Sequence, residues 1–156
     1  MINQIDPFLT HTSPSVFLAA SKLFLKTISE DKETLKLMCD FLDRIQPQLR
    51  KFLKDPVNME FHYALLKFVT EIEDEDAIKQ LSKHYKDFKL LPNERIEVSL
   101  VKCDILQKLA QCEGCQNELK DEIIKYLLNQ MVQGAHHHPF EVSILYECHT
   151  FFTIRP

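Results

Sequence analysis

The spacing of apolar residues constrains the fold most, because it follows a helical period along almost the whole chain. Apolar residues recur three or four positions apart, which places them on one face of a helix. The stripes are Val16, Ala20, Leu23, Phe24 and Ile28; Leu35, Met38, Leu42, Ile45, Leu49 and Phe52; Phe61, Ala64, Leu65, Phe68, Val69 and Ile72; Ala77, Ile78, Leu81, Tyr85 and Phe88; Val98, Val101, Ile105 and Leu109; Leu119, Ile123, Tyr126, Leu127 and Met131; and Ile144, Leu145, Cys148 and Phe152. The last stripe also fits a strand.

Residues between the stripes predict where the helices begin and end. Ser13 is a suitable N-cap, and Pro14 suits a first helical turn because the N–H it lacks would be unpaired there. The acidic run 71–76 has the charge that favours a helix N-terminus. Pro47 lies inside a stripe, so we expect it to kink or split that helix.

Composition excludes several classes of function. The chain has only two glycines, so it contains neither the dinucleotide-binding fingerprint nor a P-loop, both of which need several. A net charge of −4 provides no general basic field for nucleic acid. No apolar run approaches the roughly 20 residues that span a bilayer, and no secretory signal opens the chain. The odd number of cysteines, five, favours a reducing intracellular compartment.

The spacing of prolines predicts a repeated unit. Prolines that open helices fall at 14, 56, 92 and 139, and each interval holds two stripes. Paired helices repeating at roughly 40 residues are typical of HEAT and armadillo proteins. A second stripe on the helix 94–110, formed by Ile96, Leu100 and Cys103, predicts that it packs on two sides. We therefore expect residues 1–156 to form one all-α, HEAT/armadillo-like superhelix of about seven helices, with an irregular bundle as the alternative.

Several colinear segments resemble the β-adaptins, the β-type large subunits of heterotetrameric adaptor complexes. The resemblance covers residues 5–119 and corresponds to the middle part of the adaptin trunk, with a slight lean toward the fourth adaptor complex. One of its features is a helix with a central lysine, which is Lys102 here. The similar segments are Ser13 to Val16, Ala19 to Leu25, Leu42 to Asp55, Met59 to Phe68, His84 to Phe88, and Ile96 to Leu109.

The resemblance implies a non-enzymatic scaffold subunit of a vesicle coat, supporting intracellular protein transport and cargo sorting. Its implied partners are the medium, small and second large subunits of the complex, with no nucleic acid. It implies a cytoplasmic protein on Golgi or endosomal coated membranes, attached to the membrane only through the complex. The chain is much shorter than a β-adaptin, so we expect a fragment or a short form. The alternative function is a generic HEAT-repeat or coatomer-like scaffold with unrelated partners.

We identify no catalytic, cofactor-binding or metal-binding residues from the sequence. The pair Cys112 and Cys115, with His136–His138 and Cys148, would supply zinc ligands but lacks a regular second half-site. The simpler interpretation is a turn between helices with Gly114 in the left-handed region. We expect the acidic run 71–76 to be solvated. We expect His62 and His84 to be packing or surface residues, and the serines Ser15, Ser21 and Ser99 lack the glycines of a nucleophile elbow. Core packing is expected for most phenylalanines, but Phe17 and Phe151 lie beside their stripes, where the alternative is to face a neighbouring repeat or a partner.

Overall fold

The computed structural model describes residues 2–29, 35–54 and 58–137 of the chain. All regular secondary structure within these ranges is helical, which confirms the predicted all-α class. The last predicted stripe, its strand alternative and Phe151 lie outside the described residues. The elements are α1 (Ile2–Ile5), a 3-10 helix (Asp6–Phe8), α2 (Pro14–Ser29), α3 (Leu35–Lys54), α4 (Met59–Thr70), α5 (Glu75–Ser82), a second 3-10 helix (Tyr85–Phe88), α6 (Ile96–Gln111) and α7 (Asn117–His137).

Capping side chains set the beginnings of α4 and α5. Asn58 accepts a hydrogen bond from the Phe61 N–H at 2.7 Å. Asp74 accepts one from the Ala77 N–H at 2.9 Å, and two further acidic residues follow in the first turn of α5. A carboxylate at this position satisfies a free N–H and opposes the positive end of the helix dipole. The predicted role of the acidic run at a helix N-terminus is confirmed.

Pro47 lies inside α3, which continues unbroken from Leu35 to Lys54. The expectation that this proline splits the helix is wrong. Pro47 is exposed on the outer side of α3. Asp43, whose carbonyl would accept a hydrogen bond from the N–H of residue 47 in an ordinary helix, is exposed as well. Water can therefore solvate the carbonyl that the proline leaves unpaired, which removes the strongest reason for the helix to end.

A row of phenylalanine rings joins the first helices. Phe24 stacks on Phe41 with ring centroids 4.6 Å apart, and Phe17 contacts Phe52 at 5.4 Å. The order of these two contacts makes α2 and α3 antiparallel. Phe52 also packs edge-on against Phe61, again at 5.4 Å, which extends the row to α4. Phe17 is fully buried within the chain, so its ring is not exposed for a partner, whereas its expected placement against a neighbouring repeat stays a prediction.

Helix α4 and helix α6 lie side by side and run parallel. The Lys108 ammonium donates to the Thr70 carbonyl at 3.0 Å. Nearer the start of each helix, burial raises the pKa of Asp104 and the charge of Lys67 partly offsets this rise, so these two residues are also neighbours. Helix α6 also contacts α5, the second 3-10 helix and α7. The predicted packing of this helix on more than one side is confirmed.

Although some contacts join residues at other separations, such as Ser82 with Cys115 at 33 positions, seven polar contacts join residues 36 to 38 positions apart. This spacing agrees with the shortest interval between the helix-opening prolines. The pairs are Asp6 and Arg44, His11 and Gln48, Arg50 and Asp87, Thr70 and Lys108, Glu75 and Cys112, Tyr85 and Glu122, and Leu90 and Tyr126.

Candidate functional site

Lys102 lies in the interior, on a helix whose other inward residues are apolar. Its side chain is 2% exposed and its ammonium group lies 2.6 Å from Glu94 Oε1. The same ammonium donates to the Lys89 carbonyl at 3.2 Å. A buried ammonium group is tolerated only when charge and hydrogen-bond partners replace water, and these two oxygens do so. We name Lys102, Glu94, His62 and the Lys89 carbonyl the Lys102 centre.

Glu94 connects the Lys102 centre to the turn that precedes α6. Its Oε2 accepts from the Leu91 N–H and the Ser99 hydroxyl, each at 3.5 Å. Asn93, beside it, has a φ of 62°, a left-handed conformation that asparagine adopts more readily than most residues. The Leu90 N–H donates to the Tyr126 hydroxyl at 2.8 Å, so the same turn is also tied to α7.

His62 brings α4 into the Lys102 centre. The imidazole is buried, and burial followed by the nearby Lys102 charge lowers its pKa. Among the described residues, its Nδ1 atom finds no hydrogen-bond partner. The lowered pKa favours the neutral ring near pH 7, while Lys102 neutralises the only carboxylate that we place in the centre. This arrangement favours a fixed charge pair over general acid–base chemistry.

Sequence reasoning found the lysine but not its surroundings. The sequence indicates Lys102 only as the central lysine of an adaptin-like helix, and His62 only as a packing or surface residue. It indicates Glu94 only as the start of a helical segment. A lysine on the inner side of an apolar helix, with a glutamate eight residues earlier, is the signal that would have indicated the pair.

Of the residues in the zinc hypothesis, the structure describes the side chains of Cys112 and Cys115, in the turn between α6 and α7. Cys112 and Cys115 are buried, and the Cys115 N–H donates to the Cys112 carbonyl at 3.3 Å. Within the described residues, no group of three potential metal ligands comes together. His138, Cys148 and the side chains of His136 and His137 lie outside what the structure describes.

Gly114 does not adopt the expected left-handed conformation, because no glycine among the described residues has a positive φ. A turn closed between Cys112 and Cys115 can have negative φ at both central residues, as in the type I turn. The glycine is therefore not required here by backbone conformation. A Cβ atom at this position would lie 3.6 Å from the Lys79 side chain, which is ordinary contact.

The other candidates from the sequence remain separate from one another. The carboxylates of the acidic run are exposed except for the capping Asp74, which is half-buried. His84 is half-buried, and its pKa is lowered by burial and then by Arg50. Ser15 is exposed, Ser21 is fully buried, and Ser99 joins the turn around Glu94. The structure brings none of these serines to a described histidine by a hydrogen bond that we observe.

Exposed apolar side chains concentrate near the starts of α4 and α6. Met59 and Ile96 are the first residues of these two parallel helices, and both are exposed. Tyr63 follows one turn after Met59, and Leu91 precedes Ile96. We name Met59, Tyr63, Leu91 and Ile96 the apolar end surface. Within the described ranges, no helix combines the length and apolar character needed to cross a bilayer.

Comparison with known protein families, with curated proteins and with solved structures finds no match to this chain. The likeness to β-adaptins accordingly rests on the sequence segments that carry it. The regular contacts between helix pairs, the Lys102 centre and the apolar end surface are the structural features that bear on function.

Proposed function

We propose that this chain is a non-enzymatic protein scaffold, built as a slice of a HEAT/armadillo-like solenoid. The observation that carries the proposal is a set of seven polar contacts whose partners lie 36 to 38 residues apart. When each helix pair is displaced from the previous one by a similar step, the chain presents an extended surface. Such surfaces bind other chains in many repeat proteins.

The more specific proposal is a β-type large subunit of an adaptor coat, supporting vesicle-mediated protein transport. Its partners are then the medium, small and second large subunits, and it reaches Golgi or endosomal membranes only through that complex. The colinear segments between residues 5 and 119 support this assignment. The position of Lys102 supports it too, because a helix with a central lysine is one of the features of the resemblance.

The apolar end surface is the part of the scaffold that we assign to partner binding. Its side chains come from two adjacent helices and the turn before α6, and all four are exposed. Contact regions between proteins are enriched in Met and aromatic residues. Met59 and Tyr63 provide both residue types.

Co-expression with adaptor medium and small subunits tests the proposal. We expect at least one of them to remain with the chain through a high-salt wash. A double variant, Met59→Asp with Ile96→Asp, should lose most of the retained partner. Val132→Asp, at a 65% exposed position on α7, is the matched control and should retain it.

Two other outcomes separate the specific proposal from the general one. Failure to retain either subunit, with circular dichroism showing a folded helical chain, would reject the adaptor assignment and favour a generic HEAT-repeat or coatomer-like scaffold. Equal retention by the double variant and by wild type would remove the apolar end surface from the proposal.

A further inference from the structure

The turn between α6 and α7 holds two thiols that the scaffold function does not use. Cys112 directly follows the last residue of α6, and Cys115 lies two residues before the start of α7. The hydrogen bond from the Cys115 N–H to the Cys112 carbonyl closes the turn. A turn of this kind holds its first and fourth Cα atoms within about 7 Å. Disulfides join Cα atoms about 4.4 to 6.8 Å apart, so the backbone already has a suitable shape.

Both sulfur atoms also lie against the same helix, one toward each end. Cys115 Sγ lies 3.2 Å from the Ser82 hydroxyl, and Cys112 Sγ lies 3.8 Å from the Glu75 carbonyl, both on α5. Burial and then a direct interaction with the Cys115 thiol raise the pKa of Cys112. Both thiols therefore face one helix, from a closed turn that keeps their Cα atoms close.

We propose that Cys112 and Cys115 form a dithiol site that is oxidised reversibly to an intramolecular disulfide by small-molecule disulfides such as oxidised glutathione. One cysteine thiolate attacks a glutathione sulfur and releases the first glutathione thiolate. The second cysteine thiolate then attacks the protein-bound sulfur of this mixed disulfide and releases the second glutathione. Two electrons pass from the protein to glutathione, and the two thiol protons are taken up by the released thiolates.

The described geometry of this turn suffices for a disulfide. A disulfide needs only the two sulfur atoms and the short turn between them. Oxidation would also remove the Cys115 thiol proton donated to Ser82, so the link between this turn and α5 would change with redox state.

Mass spectrometry of the folded full chain tests the site. The reduced protein is incubated in glutathione buffers of increasing oxidised fraction, free thiols are trapped by alkylation, and the protein is digested with trypsin. The peptide 109–120 contains both cysteines and no other. We expect most of it to become two hydrogens lighter and unalkylated in the most oxidising buffer, and to return to the dialkylated form with excess dithiothreitol.

Two variants make the result specific. Cys115→Ser should abolish the internal disulfide and leave Cys112 either free or carrying glutathione. Cys103→Ser, which removes another buried cysteine from α6, should leave the internal disulfide at the wild-type level. Complete alkylation of both cysteines in the most oxidising buffer, with circular dichroism showing a folded chain, would overturn the proposal. So would pairing of Cys112 or Cys115 mainly with a different cysteine.

Discussion

Lys102 and Glu94 form an ion pair inside the protein, with the ammonium nitrogen 2.6 Å from a carboxylate oxygen and both side chains at most 5% exposed. Removing both ions from water costs free energy that their mutual attraction only partly offsets. The pair is therefore not a simple source of stability. Its effect is to fix the turn before α6, because each partner also binds backbone groups of residues 89–91.

Replacing one member of the pair is predicted to destabilise the folded protein strongly. Lys102→Met leaves the Glu94 carboxylate buried without its counter-ion, which we expect to lower the free energy of unfolding by about 3–5 kcal/mol. Urea denaturation followed by circular dichroism measures the change. Adding Glu94→Gln to this variant should recover a large part of the loss, because the remaining charge is then removed.

The matched control is the surface pair of Lys22 and Glu71, whose charged atoms lie 3.9 Å apart. Lys22→Met should change stability by no more than about 1 kcal/mol, since both side chains are about half exposed. Equal losses for Lys102→Met and Lys22→Met would contradict the assignment of Lys102 to a desolvated pair.

His62 predicts a loss of stability in mild acid. Its pKa is lowered by burial and by Lys102, so the unfolded state binds a proton at a higher pH than the folded state does. The free energy of unfolding should therefore decrease as pH falls below the ordinary histidine value of 6.5 and through the lower folded-state pKa.

Denaturation curves at about pH 7.5 and about pH 5.5 measure this effect. His62→Leu should reduce the difference in unfolding free energy between the two pH values. His84→Gln should reduce it less, because His84 is only half-buried although its pKa is also lowered. An unchanged pH dependence in His62→Leu would show that other groups cause the acid sensitivity.

Truncating the Phe17 side chain should lower the free energy of unfolding strongly, although Phe17 lies beside the expected stripe. Its ring is fully buried and contacts Phe52 at the junction of α2, α3 and α4. We expect Phe17→Ala to lower the free energy of unfolding by about 3–5 kcal/mol. Phe8→Ala, at a 48% exposed ring, should change it by about 0.5 kcal/mol or less. Thermal or urea unfolding of the two variants distinguishes them, and similar losses would place Phe17 outside the core.

Tyr85 predicts a loss of stability in strong alkali. Its hydroxyl donates to Glu122 Oε1 at 2.5 Å, and burial followed by this bond raises its pKa to about 12. Stability from the group is complete below the unfolded pKa of 10.0 and is lost as pH rises toward the folded value. Tyr85→Phe should cost about 1.5–3 kcal/mol at pH 7 and weaken the alkaline loss. Tyr63→Phe, at an exposed ring, should change neither the stability at pH 7 nor the alkaline loss. Equal changes in the two variants would contradict the contact between Tyr85 and Glu122.

The helices were predictable, because apolar spacing reports the side of a helix that faces the core. Which of two neighbouring stripes faces the core was not predictable. Val16 and Leu23 fit the helical period as well as Phe17 does, yet Leu23 is 50% exposed and Phe17 is buried. Phe17 faces inward because its ring packs on Phe52, which in turn packs on Phe61. Both of these rings come from other helices. A sequence stripe alone has no information about that packing.

The polar interior was harder to predict than the apolar core. The expected cost of burying a lysine favours a surface position, so Lys102 alone gives no sign of its environment. Its burial depends on Glu94, on the Lys89 carbonyl and on the turn that holds them, and these meet only after α6 has packed. The proline in α3 illustrates the same limit, because its effect depends on which side of the helix meets water.

Light scattering of the purified, co-expressed assembly tests the central claim most directly, because its mass shows which subunits are bound to the chain. The scaffold proposal in its adaptor form predicts a complex whose mass equals one copy of this chain plus its medium or small subunit, stable after the salt wash. A folded helical chain that elutes without either subunit would contradict that claim.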